Sequence, residues 1–307
     1  MMVTRILSNF FYIWLARQEP FMTLKDKFTY RLLHVASRRM RRLSNTARSR
    51  FANKLGAFAF NRIPIRKELA YNNIKTAFPD KSETWVNNVL IGTYRLFFTN
   101  FLEFLSFPKS YNSIHFHVKN KHILDKAAEQ KKGVIIVTGH FGLWEILGSW
   151  LGVNGYPIWG IIQRQGNQGA DLFFKEMRES YGMNHIYRKS SLNNMYELFK
   201  ENNMLIIASD QDAKGRGVFV QFFGQQSSTP KGTAIFHMRT GAPMVFSVAH
   251  KENNGTVVIS FSSIELNGSM SIETITQAYT KMLEAKVREY PDHYFWFHRK
   301  WKTKSKA

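Results

Sequence analysis

The segment Thr138-Gly-His140-Phe-Gly-Leu-Trp-Glu145 sets a histidine and a carboxylate five residues apart where a strand gives way to a helix. Histidine titrates near neutral pH, so it can take a proton from a hydroxyl and return it to a leaving group. A carboxylate beside it fixes the imidazole tautomer and stabilises the imidazolium that forms. Residues five apart in one helix lie about 140° apart around its axis. The pair therefore works together only if His140 precedes the first turn and its ring folds back toward Glu145. The same spacing also fits a loop histidine and a helix-start carboxylate favoured by the dipole.

A second cluster, Ser209-Asp210-Gln211-Asp212-Ala-Lys214-Gly215-Arg216-Gly217, follows another strand. Downstream, Thr229-Pro230-Lys231-Gly232 opens a helix. Free backbone N–H groups with Lys231 beside them suit a phosphate, and the same residues are ordinary capping chemistry. The chain has no cysteine, which removes thiolate nucleophiles, thiolate zinc sites and disulfides. Gly-x-Ser-x-Gly, Walker A, dinucleotide Gly-rich and His-x-x-x-His patterns are absent, so no metal is assigned. His115 and His117 alternate on a strand edge and read as structural or solvated. Without a nucleophile elbow, direct transfer to an acceptor hydroxyl fits better than a covalent enzyme intermediate.

The elements that must position these groups change character along the chain. Residues 23–43 read as an amphipathic helix, with Leu24, Phe28, Leu32, Val35 and Leu43 near helical spacing and Arg38, Arg39, Arg41 and Arg42 at its end. Helical patterns continue over Lys54–Phe60, Glu68–Phe78 and Glu83–Phe104, punctuated by Pro64, Pro79 and Pro108. Beyond about Tyr111, short β-branched runs alternate with helices. Strands are predicted at Gly133–Thr138, Ile158–Ile162, Met204–Ala208, Val218–Phe222, Pro243–Ala249 and Thr256–Phe261. Helices are predicted at Asn120–Glu129, Phe141–Leu151, Ala170–Tyr181, Leu192–Glu201, Gly232–Arg239 and Ile272–Glu289. This alternation predicts an α/β fold, a central mixed sheet flanked by helices, with an N-terminal helical membrane-associating region. The expected division is a basic amphipathic segment 1–54, a main domain 55–303 and a basic tail 304–307. Within the domain, 55–110 is helical and 111–303 is the α/β core.

The chain has 307 residues and a formal net charge of +21, with 44% apolar residues, enough for a real core. Residues 1–67 hold 15 Lys/Arg against Glu19 and Asp26, and residues 298–307 hold five basic residues and no acid. The middle is nearly neutral. A nucleic-acid groove more often spreads its charge over the folded body, whereas basic ends fit an anionic surface. The apolar run between Arg5 and Arg17 is too short for the roughly 20 residues of a spanning helix. It reads as an interfacial or core-packing helix. The arginine-rich end of 23–43 is open to two readings, a solvated helix face or a membrane-surface contact.

Six blocks then occur in one order: His140-Phe-Gly-Leu-Trp-Glu145, Arg164 in Ile-Ile-Gln-Arg, Asp210-Gln211, Gly217-Val-Phe-Val-Gln-Phe-Phe-Gly224, Thr240-Gly-Ala-Pro243 and Tyr294-Phe-Trp-Phe-His-Arg-Lys-Trp-Lys302. Together with Arg66 through Pro79 they resemble the bacterial lipid A late acyltransferases over roughly residues 55–303. The sequence departs from that pattern at Leu143, where asparagine is common, and at Gln221, where proline is common.

The resemblance implies an O-acyltransferase that moves a fatty acyl chain from an acyl-carrier-protein or CoA thioester to a hydroxyl of a glycolipid such as a lipid A precursor. A related branch acylates mannosylated phosphatidylinositol. His140 becomes the base and Glu145 its orienter. Arg164 is the cleft arginine, and Asp210 and Gln211 line the same cleft. With Lys231 at its helix start and Arg299 in the last block, they are the expected substrate-binding residues. No cofactor is implied beyond the acyl thioester. The implied partners are an acyl carrier protein, anionic membrane lipids and a phosphorylated glycolipid, not nucleic acid, at the cytoplasmic face of the inner membrane. Two rivals remain at this level. A non-catalytic basic membrane-binding protein explains the charge but not the ordered blocks. A glycerol-phosphate-type acyltransferase shares the His-x4-acid logic but lacks the Trp-Phe-His-Arg block.

Overall fold

The computed structural model describes residues 22–63, 65–266 and 270–305. The expected helix within Met1–Ala16 and the last residues of the basic tail lie outside them. Among the described residues four helices come first: α1 (Leu24–Met40), α2 (Asn45–Arg62), α3 (Lys67–Ala77) and α4 (Glu83–Ser106). The α/β part follows as β1 (Phe116–Lys119), α5 (Lys121–Glu129), β2 (Val134–Thr138), α6 (Trp144–Val153), β3 (Ile158–Ile162), α7 (Gln168–Glu179), β4 (Asn184–Tyr187), α8 (Leu192–Lys200) and β5 (Met204–Ala208). It closes with β6 (Val218–Phe222), β7 (Gln225–Thr229), α9 (Gly232–Thr240), β8 (Met244–Lys251), β9 (Val257–Ser263) and α10 (Ile272–Glu289).

Seven strands form one sheet in the order β1-β9-β8-β2-β5-β3-β4. Only the β8–β9 pair is antiparallel, so the sheet is mixed as expected. The predicted strand β6 is not part of it. It pairs antiparallel with β7 in a separate ribbon.

The central strands Val-Ile-Ile-Val-Thr (β2) and Met-Leu-Ile-Ile-Ala (β5) carry apolar side chains on both faces, the pattern of a sheet covered on both sides. Ile136 and Ile206 pack with Leu147 and Trp150 of α6 and Phe173 and Met177 of α7. Val137, Leu205 and Ile207 point the other way, against Leu198 and Phe199 of α8, Phe236 of α9 and Tyr279 of α10. Each such aliphatic side chain contributes about 2 kcal/mol on burial.

Helix α1 begins at a capping box in which Thr23 and Asp26 satisfy each other's backbone N–H. Asp26, Tyr30, His34 and Ser37 recur at helical spacing on its inner face. Asp26 accepts from the Gln168 N–H at 3.0 Å, Tyr30 donates to Glu176 at 2.8 Å, and Ser37 donates to the Leu105 carbonyl at 2.8 Å. This polar stripe faces the protein. The apolar stripe of the sequence, Leu24, Phe28, Leu32 and Val35, faces outward instead. Among the described residues, no helix is long and apolar enough to cross a membrane.

Candidate active site

Strands β2 and β5 are parallel neighbours, with Thr138 opposite Ala208. The chain leaves both at their carboxyl ends, where open α/β sheets bind ligands. His140 and Asp210 each lie two residues further on. The Nδ1 atom of His140 is 2.7 Å from Asp210 Oδ1. The His140 side chain is 26% exposed and that of Asp210 is buried. The imidazole is therefore tied at Nδ1 and partly exposed.

Burial disfavours the charged ring of His140. The Asp210 charge and hydrogen bond, with the charge of Glu145 behind them, outweigh that effect and raise its pKa above the ordinary 6.5. Burial likewise works against the Asp210 carboxylate. Its bonds to His140 and the nearby Lys300 ammonium prevail and hold it down at about 2. The Gln211 amide nitrogen lies 3.3 Å from His140 Nε2. Trp144 and Phe295 wall the ring, with centroids 5.6 and 6.0 Å away.

The turn between His140 and α6 decides which acid reaches the histidine. His140 does precede the first helical turn, and α6 begins only at Trp144. Gly142 takes a left-handed φ of +57°, and a Cβ there would overlap the Ala249 carbonyl oxygen. Gly142 N–H donates to the His293 carbonyl at 2.7 Å and Leu143 N–H to that of Ala249 at 2.7 Å. This turn launches α6 with Glu145 aimed at α7, where Arg178 Nη2 donates to Glu145 Oε1 at 2.7 Å and Nε to Oε2 at 3.3 Å. Glu145 is thus the partner of Arg178, and the carboxylate on the His140 ring is that of Asp210. The carboxylate in contact with His140 is thus one expected among the substrate contacts, while Glu145, the orienter that the resemblance implies, is bonded to Arg178. Glu145 still acts on His140 through its charge.

The other predicted residues are more scattered. Gln211 joins His140 directly. The Arg164 side chain is 72% exposed, stacked 4.5 Å over the Tyr187 ring and 4.0 Å from Asp171, and none of its described contacts reaches His140. Lys231 is exposed just before α9, with no side-chain cap bond. Arg299 is exposed and lines an open cleft of about 440 Å³ with Arg66, Glu68, Leu69 and Asn72. Among the described residues, no group of three His, Cys, Asp or Glu side chains could hold a metal ion.

The C-terminal block is the part that residue-by-residue reading missed. Residues 293–303 form a strap across both site loops. Phe295 N–H donates to the His140 carbonyl at 2.9 Å, and Thr303 donates to Asp212 Oδ2 at 2.9 Å. Lys300 Nζ donates to the Asp210 carbonyl at 2.7 Å. The buried Tyr294 phenol hydrogen-bonds Asp210, and burial raises its pKa well above 10.0. Helix α3 holds the strap from outside, since Asn73 Nδ2 donates to the Trp296 and His298 carbonyls at 2.7 Å each. Lys300 was counted with a surface-docking basic end, yet it is buried. The signal was the order Trp-Phe-His-Arg-Lys, which carried the resemblance without a role for its lysine.

A histidine with a buried carboxylate on one nitrogen, at the strand ends of an α/β sheet, is an arrangement that can serve general-base chemistry. A family model described as bacterial lipid A biosynthesis acyltransferase matches residues 21–303. The chain belongs to that family and is an O-acyltransferase. It is 25% identical over 261 residues to the lipid A biosynthesis palmitoleoyltransferase of Escherichia coli (strain K12), covering 82% of this chain and 83% of that protein. It is also 25% identical over 261 residues to the lipid A biosynthesis lauroyltransferase of the same strain, covering 81% and 83%. A phosphatidylinositol mannoside acyltransferase of Mycolicibacterium smegmatis is 25% identical over 179 residues, 57% of this chain and 59% of that protein.

Proposed function

We propose that this protein moves a fatty acyl chain from an acyl-carrier-protein or CoA thioester to a hydroxyl of a membrane glycolipid, by direct transfer with His140 as the base. The observation that carries the mechanism is the 2.7 Å contact between His140 Nδ1 and Asp210 Oδ1. With Nδ1–H donated to Asp210, the lone pair of Nε2 is directed toward the open edge of the ring. It takes the proton of the acceptor hydroxyl as that oxygen attacks the thioester carbonyl. The C–S bond of the tetrahedral intermediate then breaks, and the departing thiolate receives the proton from the imidazolium. Asp210 stabilises the imidazolium between the two steps. Gln211 rests against Nε2 and gives way to the hydroxyl. The oxyanion is met by Arg164, moved off Tyr187, or by a backbone N–H, a contact commonly worth about 3 kcal/mol. The reaction as written needs no resident cofactor.

The names of the relatives support two acceptor classes, a lipid A precursor and a phosphatidylinositol mannoside. The lipid A reading is favoured because those relatives align over four fifths of the chain. Lys231 and Arg299 are the proposed contacts for phosphate on the acceptor or donor. The outward stripe of Leu24, Phe28, Leu32 and Val35 is edged by Lys25, Lys27, Arg31, Arg38 and Arg39, all exposed. That combination supports docking on anionic lipid, at the cytoplasmic face of the inner membrane.

The test incubates purified protein with an acyl-carrier or acyl-CoA thioester and either a lipid A precursor or a phosphatidylinositol mannoside. Thiol release and lipid mass are followed together. The proposal predicts one thiol released per acyl chain gained by the glycolipid. Release of free fatty acid alone, or no release with either donor and either acceptor, overturns it.

A further inference from the structure

We propose that Lys300 is a positioning residue for the acyl transfer: its ammonium pins the Asp210 backbone and so aims the Asp210 carboxylate at His140. The inference rests on the function proposed above.

Lys300 is only 3% exposed. A buried ammonium is costly unless nearby groups compensate it. Its Nζ donates to the Asp210 carbonyl at 2.7 Å and lies 3.4 Å from Thr229 Oγ1 and 5.0 Å from the Phe222 ring centroid. None of these contacts is to a carboxylate oxygen. The lysine holds the backbone of the residue whose side chain holds the base. It enters from the strap, and Lys300 N–H closes a tight turn on the His298 carbonyl at 2.9 Å. Register brings β2 and β5 together, but it does not fix the rotation of the Asp210 peptide beyond the strand end. The Lys300 bond does.

The titratable groups around this ammonium are Asp210 and Asp212 on the loop after β5, His298 on the strap and Tyr279 on α10. His140 and Tyr294 stand beyond them, bonded to Asp210. Burial lowers the Lys300 pKa against the pull of Asp210 and Asp212, to about 8. Lys300 therefore loses its charge within reach of ordinary assay conditions.

Two measurements test this. In the first, His140 of the wild-type protein is followed by ¹⁵N NMR from pH 7 to 10, without substrate. The expected result is a second inflection near pH 8 in the His140 ring shifts, with loss of the pure Nδ1–H tautomer above it. A ring signal flat through that range overturns the proposal. This readout involves no turnover, so it stands apart from any failure of the acyl-transfer reading. In the second, Lys300→Met keeps the length and apolar stem of the side chain. For folded K300M the expectation is a kcat about tenfold lower or more, with KM for the thioester little changed. The alkaline limb expected near pH 8 in the wild type should be absent from the variant. A folded K300M with wild-type kcat and an unchanged alkaline limb contradicts the proposal. If K300M does not fold, the wild-type titration still decides.

Discussion

His140 and Asp210 meet because each stands two residues beyond a register pair, Thr138 opposite Ala208, at the carboxyl ends of adjacent parallel strands. Ser209 N–H donates to the Thr138 carbonyl at 2.9 Å and carries the pairing one step past the strands. Two chain segments 70 residues apart are thereby brought within hydrogen-bond distance. The acid five residues from the histidine is turned away by its own helix.

This arrangement predicts a specific pH dependence. The base form of His140 is neutral, so kcat/KM falls as pH drops through its pKa. With that pKa raised, the acid limb lies above pH 6.5 in the wild type. In Asp210→Asn the main raising influence is gone and burial is left largely unopposed, so the limb moves to lower pH. The maximum falls by on the order of 10² or more. Rate–pH profiles of both proteins check this, and an acid limb unmoved in D210N rules out Asp210 as the orienter.

Glu145 and Arg178 should behave as a structural pair. Both are largely buried, and removing one leaves the other charge uncompensated, at a cost of about 3 kcal/mol. Glu145→Gln is expected to lower the urea midpoint clearly while reducing kcat less than D210N does. The double variant E145L/R178M recovers much of the stability. If E145Q unfolds like the wild type yet shifts the acid limb as far as D210N, the roles of the two acids are reversed.

How much of this was readable beforehand differs from element to element. The α/β core was legible because β2 and β5 are short apolar runs ending at glycine- or serine-bearing turns, and helices of regular spacing separate them. β7 was missed because Gln-Gln-Ser-Ser-Thr has no apolar alternation and is held by pairing with β6. β4, at one edge of the sheet, has four residues, too few for a period to register, whereas the alternation of His115 and His117 pointed to β1 at the other edge. The apolar stripe of α1 was legible as one face of an amphipathic helix, but its surroundings were not. Periodicity tells which residues share a face, not whether that face meets protein or solvent. His140, Asp210 and Gln211 were all picked out, but their pairing depends on strand order, and spacing along the chain carries no trace of it. Lys300 looked like one more cation in a basic tail.

Gly142 offers a backbone test. Its left-handed φ and the Ala249 carbonyl beside it exclude a side chain. Gly142→Ala should cost about 1–3 kcal/mol in backbone strain alone, and it should displace His140. Thermal melting together with activity checks this. A G142A protein as stable and active as the wild type contradicts the described turn.

The outward face of α1 predicts lipid binding. Phe28→Glu with Leu32→Glu should weaken co-sedimentation with anionic vesicles and leave folding intact, because both side chains are largely exposed. Added salt should weaken the binding of the wild type as charge is screened. Binding that survives both changes places the lipid contact elsewhere on the molecule.

The central claim is that His140 is the base for acyl transfer to a glycolipid hydroxyl. The most direct measurement is the single-turnover rate of His140→Ala, with acyl thioester and glycolipid both saturating and folding verified by circular dichroism. The account predicts a rate lower by about 10²–10⁴, with acceptor binding retained. A folded H140A protein that transfers the acyl chain within about threefold of the wild-type rate contradicts it, because a general base contributes far more than that.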